Sequence, residues 1–307
     1  MRRENDLKSL WKSVFRSVGK INQGLVKLGF EDKGTQEDLD AFLKDWDIDK
    51  SPIQSVVLVA HIMKSQTDLS FPASLIPRLN GVLSYCRFKN LHIETILNEI
   101  VSSFKNNNIT YNLLGDWAMK DLRPEYPRWI NNIDILVPVS EYNHTAETVA
   151  SINSDTDIII QQSLQEGFSL ETLVFFAALN LYGRLLAGQP IESCITTLID
   201  INYLSSLNKG LDAGIIWNLA REYKREFQVY LISRIVNSTT QGLFSNQWPD
   251  SSSLSRRILK KRLVDFLYRR DVLSGTDNKI LKEGTRRGLI PSVVKHLIWC
   301  LVSKLGL

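Results

Sequence analysis

Ile109-Thr-Tyr-Asn-Leu-Leu-Gly115-Asp116-Trp117-Ala-Met-Lys120-Asp-Leu-Arg-Pro-Glu-Tyr-Pro-Arg128-Trp-Ile-Asn131-Asn132-Ile133-Asp134-Ile-Leu-Val137 is the stretch from which the fold is read. Its order is a short apolar strand, a glycine turn, a brief helix, a proline-bounded loop and a second strand carrying an acid. Glycine after a strand lets the backbone come close to a ligand, and the first N–H groups of the following helix are unpaired donors that attract anions. Residues two apart on a strand share a face, so Asn132 and Asp134 point one way while Ile133 and Ile135 point to the core. Two oxygen-bearing side chains on one face suit magnesium, a hard ion that keeps waters and bridges to phosphate oxygens. The competing reading is an ordinary strand–turn–strand unit with a solvated acid.

Working outward, Ile93, Ile96, Leu97, Ile100, Val101 and Phe104 form one helical stripe, and Asn106-Asn107-Asn108 supplies a left-handed stop before the strand over 109–114. Beyond Val137, Pro138 ends the second strand and a helix begins near Ser140-Glu141. Residues 151–155 turn, and Asp157-Ile-Ile-Ile-Gln161 reads as a third strand. Ser169 caps a helix over 170–186 that stops at Gly188 with Pro190 beyond. Helical spacing continues through 198–204, 215–223 and 229–235, and the Ser/Thr/Asn/Gln-rich stretch 238–253 reads as a linker. Before the central stretch, helices are expected over 7–28 and 39–46. A third follows Pro52 through the apolar run Val56–Met63, where His61 reads as a structural histidine.

The expected fold class is therefore α+β and mostly helical. Its expected divisions are an N-terminal helical region (1–104), an α/β core (105–165), a helical region packed on that core (166–240) and a basic helical segment (254–307).

The central stretch resembles the uncharacterised nucleotidyltransferase family of the polymerase-beta superfamily, whose pattern is a Leu-Lys-Gly turn, a helix, then Arg-x-x-x-Asp-x-Asp and aliphatics. Leu114 and Gly115 match the turn, Arg128 the arginine, Asp134 the second acid and Ile135-Leu136-Val137 the aliphatics. Weaker patterns carry the resemblance from about Leu75 to about Leu243, including Leu198-Ile-Asp200-Ile. The resemblance implies a small polymerase-beta-like sheet and transfer of a nucleoside monophosphate from a nucleoside triphosphate to a small-molecule, peptide or protein acceptor. It further implies Mg2+ held by Asn132 and Asp134, Asp134 and Asp157 as catalytic acids, and Gly115 and Arg128 binding the nucleotide. Two departures bear on activity. Asn132 stands where the family has the first acid, and Asp116 brings negative charge to the place of the triphosphate. The alternative is a non-catalytic relative that acts as a binding or scaffold module. Asp200 has its own simpler reading, a helix-face acid paired with a nearby base.

Composition fits these expectations. Of 307 residues, 44% are hydrophobic and 23% charged, which supports a packed core and excludes a largely disordered chain. Cys86, Cys194 and Cys300 show neither zinc nor disulfide spacing, so a reducing cytoplasm is the simplest setting. No run of about 20 apolar residues is present to suggest a spanning helix. Nucleophile-elbow, His-Glu-x-x-His and dinucleotide motifs are absent. Gly183–Gly188 has P-loop glycine spacing, but Gln189-Pro190 follow where Lys-Ser/Thr is needed.

Charge is uneven. Residues 251–307 hold 13 Lys or Arg against 4 Asp or Glu, whereas the first 250 hold 24 against 29. The basic segment suggests an anionic partner (RNA, lipid or acidic protein) or a plain solvated face with Ile258, Leu259, Leu263, Val264, Phe266 and Leu267 turned inward.

Overall fold

The computed structural model describes residues 34–152, 154–164, 168–189, 191–207, 211–239 and 256–274, together with residues 10–14, 25, 28 and 29. They divide into two compact units: residues 10–14, 183–189 and 256–274 form one, and the rest form the other. The structure is mostly helical (69%) with a small three-stranded mixed sheet, an α+β protein.

In the larger unit the chain runs α1 (Gln36–Asp45), α2 (Ile53–Ser65), α3 (Ile76–Asn106), β1 (Asn112–Leu114), α4 (Gly115–Leu122) and β2 (Asn132–Pro138). After a 3-10 turn it continues through α5 (Tyr142–Ala150), β3 (Asp157–Ser163), α6 (Leu170–Leu186, whose residues from 183 onward count with the smaller unit), α7 (Ile195–Leu207), α8 (Ala213–Glu222) and α9 (Glu226–Thr239). Local chemistry sets several boundaries. Thr35 and Asp38 form a reciprocal capping box at the start of α1. Ser169 Oγ accepts from Thr172 N at 3.3 Å at the start of α6. Asn108, at φ 54, turns the chain out of α3 while Ile109 N–H donates to the Phe104 carbonyl at 2.9 Å.

The strand order is β1-β2-β3, with β1 antiparallel and β3 parallel to β2. A parallel pair needs a crossover, and α5 supplies it. One sheet face carries Leu113, Ile133, Ile135, Val137, Ile158 and Ile160 against the second half of α3, whose Ile93, Ile100 and Phe104 are buried in the same cluster. The first half of α3 serves a second core: Leu79 and Leu83 pack with Leu39, Phe42, Leu58, Ile62, Ile195 and Ile199. At about 1.5 Å per residue, this 31-residue helix is roughly 46 Å long and belongs to both.

Differences from the sequence reading are local. α3 begins at Ile76, well before the stripe that starts at Ile93. β1 covers only three residues, because the Thr110 N–H donates to the Glu141 carboxylate at 2.6 Å rather than to a strand. β3 runs two residues further, held by Val137↔Gln162 and Pro138↔Ser163 pairing. In the smaller unit, helix α10 (Arg256–Ser274) buries Leu259, Leu263 and Phe266 as expected, but Ile258 is 46% exposed and Lys260 is buried. Its stripe is thus rotated from the one read in the sequence. Most of the 238–253 linker lies outside the described residues, as does most of the 7–28 helix, of which residues 10–14, 25 and 28 are helical.

Candidate functional site

Gly115 opens α4 in the left-handed region, φ +59, directly after extended Leu114. β1 register sets Leu114 opposite Asp134, so the turn and the strand acid meet. A Cβ added at Gly115 would lie 2.9 Å from Asp134 Oδ2. Both the backbone conformation and the close approach therefore call for glycine.

Asp134 is only 6% exposed, and its Oδ1 is buried without a hydrogen-bond partner. Burial pushes the carboxyl up to about 6; the Asn132 side chain opposes this by hydrogen-bonding the charged form, and the Asp116 charge adds to it. Asn132 and Asp134 share the sheet face turned away from α3. Asp157 is the Cα partner of Asn132 across the parallel pair, on that same face, and it is exposed. Adjacent strands lie about 4.8 Å apart, which makes Asp157 a neighbour of Asn132 rather than of Asp134, whose own partner is Ile159.

Arg128 comes to the turn from another direction. It is 2% exposed, and its Nη1 and Nη2 donate to Asp200 Oδ2 and Oδ1 at 2.7 and 2.6 Å. Nη1 also lies 3.5 Å from Asp116 Oδ1. Burial alone would lower the guanidinium pKa, but the charge and hydrogen bonds of Asp200, with Asp116 behind them, hold it above its ordinary value. The Arg128 carbonyl accepts from Asn90 Nδ2 at 2.7 Å and from the Cys86 thiol at 2.9 Å. Both ends of the residue are thereby fixed. Asp116 has a structural rationale as well, since an acid in the first turn of α4 complements the helix dipole.

The structure thus brings together Gly115, Asp116, Asn132 and Asp134, and it links them through Asp116 to Arg128 and Asp200. Asp200 has the basic partner that the sequence suggested, and that partner is Arg128, itself one of the candidate site residues. The sequence alone did not reveal that the base engaged by Asp200 is Arg128. A residue pair 72 positions apart leaves no local signal, although the Leu-x-Asp segment at 198–200 marked one half of it. His61 is half-buried in α2 with its ring edge-on to Tyr126, centroids 4.8 Å apart.

Among the described residues, no three His, Cys, Asp or Glu side chains gather so as to hold a metal ion. Asp134 offers a buried oxygen with no donor at the turn, and with Asn132 beside it on the strand it would be the residue to hold a magnesium ion completed by water and phosphate oxygens. No helix among the described residues is long and apolar enough to cross a membrane. A scan against protein-family models, a search of curated proteins and a search of solved structures each found no match to the chain.

Proposed function

We propose that the chain is a nucleotidyltransferase-like protein with a polymerase-beta-like core, in which the Gly115 turn and Asp134 receive the phosphates of a nucleoside triphosphate and a magnesium ion. The observation that carries this reading is the Asp134 carboxylate, buried with one oxygen unpaired and pressed against a glycine that no other residue could replace without a shift. A buried carboxylate left in this state is unfavourable by itself and is relieved by a cation. Asp134 and Asn132 would hold the ion, with Asp157 at the edge of the same face. Magnesium, when bound, supplies neutralisation and orientation of the phosphate oxygens. The transfer would join an acceptor oxygen to the α-phosphorus and release pyrophosphate. Arg128 would act from behind, through Asp116, by offsetting the negative charge nearest the phosphates.

A second reading rests on Asn132 and Asp116. With one strand carboxylate where the family has two, and an acid in the phosphate-facing turn, the fold would serve as a non-catalytic binding or scaffold module. The two readings separate in one experiment. Thermal unfolding is followed with each nucleoside triphosphate, with and without magnesium, for the wild type, Asp134→Ala and Asn132→Asp. The enzyme reading expects a magnesium-dependent rise in Tm that Asp134→Ala abolishes and Asn132→Asp enlarges. No rise with any nucleotide, or an equal rise in all three proteins, removes it in favour of the module.

A further inference from the structure

Between α2 and α3 lies a cleft of about 580 Å³, closed by the 124–127 segment and with Arg128 in its lining. That volume falls within the range of small-molecule sites. Its apolar lining comes from Leu83, Cys86 and Tyr126, all buried, and from Leu91, which is 62% exposed. The Cys86 thiol is pushed up to about 11 by burial, so it serves this lining as a small apolar group, not as a thiolate.

The charged groups of the cleft are mostly closed in pairs. Lys120 Nζ is 2.9 Å from Glu94, Glu125 is 3.7 Å from Arg123, and Arg128 is bound by Asp200. Two cations remain. Lys64, in the last turn of α2, and Arg87, on α3, both line the cleft, and neither closes an ion pair or hydrogen bond with any described residue. A protein that spends its carboxylates on the neighbouring cations and leaves these two open presents an excess positive charge over an apolar floor.

We propose that this cleft binds a small molecule that joins an apolar body to one acidic group, a carboxylate or a phosphate, with the body on Leu83, Leu91 and Tyr126 and the acid between Lys64 and Arg87. The apolar body supplies burial and the two cations supply charge-assisted hydrogen bonds that fix its orientation. The site uses neither Gly115 nor Asp134 and requires no metal, so it stands or fails separately from the nucleotide reading.

Isothermal titration of the full chain, without magnesium or nucleotide, tests this with phenyl phosphate, phenylacetate, inorganic phosphate and benzyl alcohol. At least one of the two aryl acids is expected to bind about tenfold or more tightly than either inorganic phosphate or benzyl alcohol, and which of them binds names the acid. The doubly neutralised variant Lys64→Gln/Arg87→Gln is expected to weaken that binding by about tenfold. The control variant Lys44→Gln/Lys105→Gln, with both positions exposed outside the cleft, is expected to leave it unchanged. Both pairs lie at the surface, so the fold is retained. Failure of both aryl acids to outbind inorganic phosphate and benzyl alcohol overturns the proposal, and so does equal weakening in the two variants or none in either.

Discussion

Asp134 and Asp200 are carboxylates of nearly equal burial, 6% and 5% exposed, and both belong to the neighbourhood of the Gly115 turn. Asp200 accepts two short hydrogen bonds from one guanidinium, so its charge is matched in number and in geometry. Asp134 has a glycine on one side, an amide at its base and an oxygen with no donor. The difference separates a charge that the fold has used from one that it has left open. A buried ion pair orders the elements it joins, here α7 and the loop entering β2, whereas a buried lone carboxylate stores unfavourable energy that only protonation or a cation releases.

The comparison can be broken most forcefully at its matched side. Arg128→Met removes the partner of Asp200 and leaves a buried uncompensated charge, so urea unfolding is expected to show a loss of about 3–5 kcal/mol, most of it recovered when Asp200→Leu is added. A loss below about 1 kcal/mol would mean that Asp200 has another means of neutralising its charge.

At the open side the sign reverses. The carboxyl of Asp134 lies at about 6 in the folded protein against an ordinary 3.8, so the folded state holds the proton more tightly than the unfolded chain does. Below about pH 4 both states are protonated and the residue is neutral in its effect; as pH rises through about 6 a destabilisation develops in full. Asp134→Asn should therefore stabilise the protein by about 1–3 kcal/mol at pH 8, and the gain should vanish toward pH 4. Parallel stability curves for the two proteins across that range would show that the carboxyl is not perturbed.

The smallest effect sharpens the role of the glycine. Gly115→Ala combines a left-handed backbone with a 2.9 Å approach to Asp134, and about 1–2 kcal/mol of stability should be lost. Gly81→Ala, at a mid-helix position with nothing within 4 Å, should gain about 0.5–1 kcal/mol. Matching signs for the two substitutions would remove the argument that Gly115 is dictated by the acid facing it.

How much of this was legible in the sequence depended on whether the deciding contact was local. The α6 helix carries its own start and stop in Ser169, Gly188 and Pro190, and its observed bounds match those read. β2 was legible because Ile133 and Ile135 alternate with polar neighbours. The first half of α3 was not, since Tyr85, Phe88 and Leu91 are 59%, 71% and 62% exposed and blur the buried stripe through Leu79 and Leu83. At the site, the proximity of Gly115 and Asp134 followed from strand order. The engagement of Arg128 by Asp200 did not, because it depends on how α7 packs and not on anything near residue 128.

The length of α3 has a consequence for how this unit comes apart. One continuous rod supplies Leu79 and Leu83 to one apolar core and Ile93, Ile100 and Phe104 to the other, so neither core can loosen at its share of the rod without exposing backbone that the other needs helical. Amides in the middle of the rod should exchange with solvent only when both cores open, giving a single cooperative block where the chain order would suggest two.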